Sequence, residues 1–173
     1  MLKIIGANGT IKNIEKILKN SKEFAEKYNL IIQLFNADLI YGKSHLISAF
    51  EHAKRAMNRK TNSTNSLEME ILLYASGERQ LKLAIPKMGV KNGKVSIACI
   101  FISDNEKHDK HTLESSIELF LKNMNLLRND KVLEGDEDTL KKFGITNSEI
   151  STVKKEKYGD LILEKIAIVD IIK

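Results

Sequence analysis

His45 and His52 share one face of a helical pattern with Ala49 and Ala56. Glu70 stands further on, inside an otherwise apolar run. Imidazoles titrate near neutral pH, so this trio could do acid–base work as a small enzyme. Histidines on such a face are more often packed and hydrogen-bonded. A half-buried carboxylate needs a cationic partner, and Arg55 or Arg79 is the expected one for Glu70. That pair would be structural, or it would aim an arginine at a ligand.

A second set of residues suits phosphate. Arg55, Arg59, Lys60, Arg79 and Lys82 come from three consecutive helical segments, and the hinge 61–66 adds hydroxyls and amides. Such a cluster could hold phosphates by charge while Asn65 and Gln80 read base edges in a single strand. Cations in a last helical turn also suit the negative end of the helix dipole. Arg79 has no such local role, because it is expected at a helix start, where an anion between it and the free N–H groups would remove the conflict.

Other chemistries lack their residues. Cys99 lies inside the run VSIACIFI and reads as a buried, inert thiol. His108 and His111 make two ligands, fewer than zinc needs. Gly6-Ala7-Asn8-Gly9 lacks the lysine and hydroxyl of a phosphate loop. The acidic run from Glu134 to Asp138 lacks the alternating ligands of a calcium loop and suits a helix start instead. There is no nucleophile elbow and no kinase signature. No metal, cofactor or catalytic residue is expected.

These side chains must be positioned by elements the patterning supplies. Leu2 to Ala7 reads as a strand, with Asn8-Gly9 turning into a helix that carries Ile11, Ile14, Ile17 and Leu18. A second short helix begins near Asn20, and Leu30 to Phe35 reads as a buried strand. The next helix is capped by Ser44. Another opens on an Asn65–Glu68 capping box and stops at Ser76-Gly77. A third, from Glu78 to Gly89, puts Leu81, Ala84, Ile85 and Met88 at core spacing. Lys94 to Ser103 is β-branched and almost wholly apolar, which suits a central strand covered on both faces. A helix from His108 to Met124, a short strand over 131–133, helices near Thr139 and Thr146, and an apolar helix from Tyr158 to Ile172 follow. That last helix has so little polar face that it must be buried or docked, and Ile162, Ile166 and Val169 are expected partly at an interface.

The chain has 173 residues, a length for one domain, and a net charge of +5 that permits an acidic partner without demanding one. A single cysteine suits a reducing cytoplasm. No apolar run reaches membrane length, and the first residues lack a signal-peptide pattern. With no tryptophan, stacking platforms for bases are scarce. The expected fold is α+β: one domain, with a small sheet covered by a larger set of helices.

The run His45-Leu46, Ala49, His52-Ala53, then Glu70-Ile71-Leu72, Ser76-Gly77, Arg79-Gln80-Leu81, Ala84 and Gly89 resembles the small kinase-binding subunit of the KEOPS complex. In animals this is the PRPK-binding protein family. KEOPS makes threonylcarbamoyladenosine in transfer RNA. The resemblance implies a non-catalytic subunit that contacts the small lobe of the kinase-like subunit and recruits the CCA end of tRNA. Any ATP and metal would then belong to its partners. A standalone enzyme using His45 or His52 with Glu70, and a protein-only regulatory adaptor, are the other two readings.

Overall fold

The computed structural model describes residues 1–103 and 110–172. β1 (Leu2–Ile11), α1 (Ile14–Tyr28) and β2 (Ile31–Asn36) lead through a 3₁₀ turn (Ala37–Leu39) into three helices: α2 (Gly42–Arg59), α3 (Leu67–Ser76) and α4 (Leu81–Met88). Then come β3 (Gly93–Ile102), α5 (Lys110–Met124), β4 (Leu126–Arg128), a 3₁₀ turn (Asp130–Leu133), α6 (Glu137–Phe143), α7 (Asn147–Ser151), another short turn (Lys155–Lys157) and α8 (Tyr158–Ile172). The sheet is antiparallel, in the order β2-β3-β1-β4.

β3 is central, and Ile97 to Ile102 are all buried, as a run without polar alternation requires. Strand alternation then splits the core in two. Ile4, Ala98, Ile100 and Ile102 pack with α2, α3, α4, α6 and α8. Ile5, Ala7, Cys99 and Phe101 pack with α1 and α5 on the other face. The fold is therefore α+β, with two helices on one side of a small sheet and the larger helical set on the other. Among the described residues no helix is long and apolar enough to cross a membrane.

Several local expectations are corrected. β1 does not turn at Asn8-Gly9 but runs on to Ile11, because β3 and β4 pair with it on both sides there. Gly6 in the same strand allows a close approach: a Cβ would lie 2.4 Å from the Asn129 carbonyl oxygen. The two early helices are one, Ile14–Tyr28, with Ile17 inward and Leu18 exposed. The second short strand lies at Leu126–Arg128, and 131–133 belong to a 3₁₀ turn. α2 starts at Gly42, so Ser44 is inside it and caps nothing. Ser66, not Asn65, caps α3, its hydroxyl accepting from the Met69 N–H. α4 begins only at Leu81, with Gln80 as its cap; Ala84 and Met88 are buried, while Ile85 faces outward. The capping box of Thr146 and Glu149 is present. His108, and with it the His108–His111 pair, lies outside the described residues.

Candidate partner and RNA-binding surface

α2 and α3 form an antiparallel hairpin. Gly77 closes α3 in the left-handed region, at φ 69°, with its N–H returned to the Leu73 and Tyr74 carbonyls. α8 lies across this hairpin, packed on both helices. The residues with chemical potential are distributed over these three helices and the hinge between α2 and α3.

His45 is a structural histidine. Its side chain is fully buried, Nδ1 accepts from the Tyr41 N–H at 3.2 Å, and Nε2–H donates to the Ala75 carbonyl at 2.8 Å. The first contact caps the start of α2 in place of a hydroxyl, and the second ties the start of α2 to the end of α3. Burial away from water disfavours the imidazolium and pushes the pKa down to about 4, against a smaller opposing effect of the Ala75 carbonyl. With both nitrogens committed, His45 has no free atom for proton transfer.

His52 faces α8. Its Nδ1 lies 2.7 Å from Asp170 Oδ2 and 2.8 Å from an Arg55 nitrogen. One nitrogen cannot both donate to a carboxylate and accept from a guanidinium. The carboxylate contact requires Nδ1–H, which leaves Arg55 paired with Asp170 directly, at 3.6 Å. The buried Tyr74 hydroxyl donates to the other oxygen of Asp170. Burial opposes ionisation of Asp170, but the hydrogen bonds from Tyr74 and His52 and the Arg55 charge outweigh it and hold the carboxyl below its usual range. The Tyr74 hydroxyl is pushed up, first by burial and then by Asp170. This four-residue knot pins the last turn of α8 to the hairpin.

Glu70 is fully buried, but not against an arginine side chain as expected. Its two carboxylate oxygens accept from the Ser63 N–H at 3.2 and 3.1 Å, and Oε2 also accepts from the Thr64 N–H at 3.0 Å. A hinge of six polar residues has few backbone partners of its own, and the carboxylate supplies them. Glu70 therefore fixes the hinge, while His45 works at the other end of the hairpin. The trio does not assemble into an acid–base site.

The basic cluster divides in the same way. Arg55, Arg59, Lys60 and Asn65 are exposed around the hinge, and Arg59 borders a shallow groove with Glu51, Lys54 and Asn58. Arg79, Gln80 and Lys82 are exposed past the far end of α3. That helix has 10 residues, so roughly 15 Å of rise separates the two groups. Asn65 and Gln80 therefore cannot read the same base. Arg79 lies one residue before the cap of α4, and Lys82 sits within its first turn.

Ile162, Ile166 and Val169 are each 0% exposed within the chain, so they have no surface to offer a partner. The opposite side of α8 does: Glu164, Ala167, Ile168 and Ile171 are exposed, Ile171 to 82%. Spacing alone had identified an apolar helix without saying which side was covered. The Asp170 knot was missed, although an acidic residue in the last apolar turn was its visible signal. Among the described residues no group of histidine, cysteine and carboxylate side chains could hold a metal.

Comparison with known proteins places the chain in a family. A family model described as kinase binding protein CGI-121 matches residues 10–170. The Regulatory protein Cgi121 of Methanocaldococcus jannaschii is 32% identical over 147 residues, covering 83% of this chain and 86% of that protein. A match from the end of β1 to the Asp170 knot takes in the whole hairpin, most of both cores and α8 as far as Asp170, and this chain belongs to the CGI-121 family.

Proposed function

We propose that this chain is the kinase-binding, non-catalytic subunit of a KEOPS assembly and that it recruits tRNA by its unpaired CCA end. The observation that carries the kinase reading is the family match across residues 10–170. The commitment of His45 and Glu70 to structural hydrogen bonds supports a binding role over an enzymatic one. The kinase-like subunit docks on the outer side of α8, where Ile168 and Ile171 give an apolar centre beside charged residues. RNA binds at the hinge end of α2, where Arg55, Arg59, Lys60 and Asn65 offer charge and amides to a few unpaired nucleotides.

Titration of intact and CCA-less tRNA tests the RNA half. Removing CCA is expected to weaken binding more than shortening the helical arms does. Arg59→Ala is expected to cost about 1–3 kcal/mol, the range for a charged hydrogen bond. Affinity should fall with salt at a slope of about 0.7 per phosphate contacted. Equal affinity for the two RNAs removes the CCA assignment. If Arg79→Ala weakens binding and Arg59→Ala does not, the contact lies at the far end of α3. Pull-down with the kinase-like subunit tests the other half: Ile171→Glu should abolish capture without lowering the melting temperature, and unchanged capture excludes this face of α8.

A further inference from the structure

Arg55 belongs at once to the hinge cluster and to the knot at the end of α8. Three donors converge there on the Asp170 carboxylate. The Tyr74 hydroxyl donates to Oδ1, His52 Nδ1–H donates to Oδ2 at 2.7 Å, and an Arg55 nitrogen stands 3.6 Å from the same Oδ2. The first two donors are held by the fold. Tyr74 is buried, the His52 side chain is only 17% exposed, and the two rings lie 5.4 Å apart. The Arg55 side chain is 42% exposed and makes the longest of the three contacts. Asp170 therefore keeps its place through Tyr74 and His52, whereas Arg55 can swing into solvent at little cost, because an exposed ion pair is weak.

Two further observations set this pair apart. Asp170 lies in the last turn of α8, a turn without a basic residue of its own. The negative end of a helix disfavours a carboxylate, so the charge is supported from α2 and α3 instead. Within the hinge cluster, neither Arg59 nor Lys60 pairs with a carboxylate among the described residues. Arg55, the cation that reaches α8, is thus the one already neutralised from inside the chain. A phosphate at the hinge offers Arg55 the same chemistry as Asp170 does: a negative charge spread over oxygens that match the guanidinium fork. One guanidinium then faces two anions that want it.

We propose that Asp170 is an internal competitor of the RNA phosphate. In the free chain it occupies Arg55, and RNA binding exchanges it for a phosphate, leaving Asp170 on Tyr74 and His52 alone. This rests on the hinge as the RNA site and adds its regulation. Asp170 is a positioning residue that sets Arg55 and limits affinity. By linkage, the RNA loosens the last turn of α8 by as much as the Asp170 contact weakens the RNA. That turn carries the exposed Ile171, so whatever holds the turn down also holds Arg55 back.

Fluorescence anisotropy of the full chain with a labelled single-stranded RNA ending in CCA tests the exchange at low salt. Asp170→Asn removes the charge and keeps an acceptor oxygen for the knot, and it should tighten binding about threefold. In an Arg55→Gln background the same substitution should change nothing, because no guanidinium is left to release. Unchanged or weaker binding by Asp170→Asn overturns the proposal. So does an equal gain in the Arg55→Gln background, which would mean plain repulsion of the phosphate. Hydrogen exchange gives an independent readout on the wild-type chain. Saturating RNA should speed exchange of the amides of residues 168–171 about threefold, and should leave them unchanged in Arg55→Gln. Unchanged or slower exchange in the wild type overturns the proposal, and it decides alone if Asp170→Asn fails to fold. Arg59→Ala tells the two readings apart. If it weakens RNA binding while Asp170→Asn changes nothing, the hinge stands and the exchange alone fails. If neither Arg59→Ala nor Arg55→Gln weakens binding, the hinge fails and the exchange falls with it.

Discussion

His45 illustrates how one residue can be read for catalysis and serve the fold. Its pKa is lowered to about 4 from an ordinary 6.5, so the unfolded chain binds the proton more tightly than the folded one. Stability from this group is therefore complete above about pH 6.5 and is lost as the pH falls toward 4. At pH 5 the loss should be about 2 kcal/mol. Urea unfolding of wild type and His45→Gln at pH 7 and pH 5 checks this, because the variant should lack that part of the pH dependence. Glu70 makes the companion case. Glu70→Ala leaves the Ser63 and Thr64 N–H groups without their acceptor and should cost about 1–3 kcal/mol. Glu70→Gln keeps an acceptor oxygen and should cost less. Hydrogen exchange should show the loss first in the hinge.

At the scale of elements, α8 is the piece whose role depends on which side is examined. Its inner side carries Ile162, Ile166 and Val169 in the larger core, and its last turn is pinned by Asp170 to His52, Arg55 and Tyr74. A glutamate at Ile166 would bury an unpaired charge among apolar side chains, which costs several kcal/mol. Ile166→Glu is thus expected to unfold the isolated chain, whereas Ile168→Glu, on the exposed side, should leave its thermal transition nearly unchanged. Calorimetry of the two variants separates the faces. A folded Ile166→Glu protein would mean that α8 is held less tightly than its burial implies.

At the scale of the whole molecule, the helices do not surround the sheet evenly. α1 and α5 cover one face, and the larger helical layer on the other holds the hairpin and α8. The larger layer stops short of the polar side of the overhang where β1 and β3 run past β2, which leaves a cleft open at one end of the sheet. The surfaces proposed for the two partners are the outer side of α8 and the hinge end of α2. The two meet at the Asp170–Arg55 pair, so a protein partner on α8 and a nucleic acid at the hinge would lie side by side.

The residues alone determined the element types wherever one period dominated. The central strand was legible because Val95 to Ile102 is β-branched and apolar, and α8 because its apolar run is long. Gly77 and the Thr146–Glu149 box marked helix ends because their chemistry is local. The order His45 to Gly89 carried the family. Local signals failed where distant chain supplied the partner. Asn8-Gly9 resembles a turn, yet pairing with β3 and β4 holds it extended. Only the tertiary structure decided that Glu70 would meet backbone N–H groups, that the basic residues would separate along α3, and that Asp170 would close on His52 and Tyr74. Helical spacing fixes which residues share a face. It carries no information on which neighbour covers that face, and burial, charge pairing and pKa all depend on that neighbour.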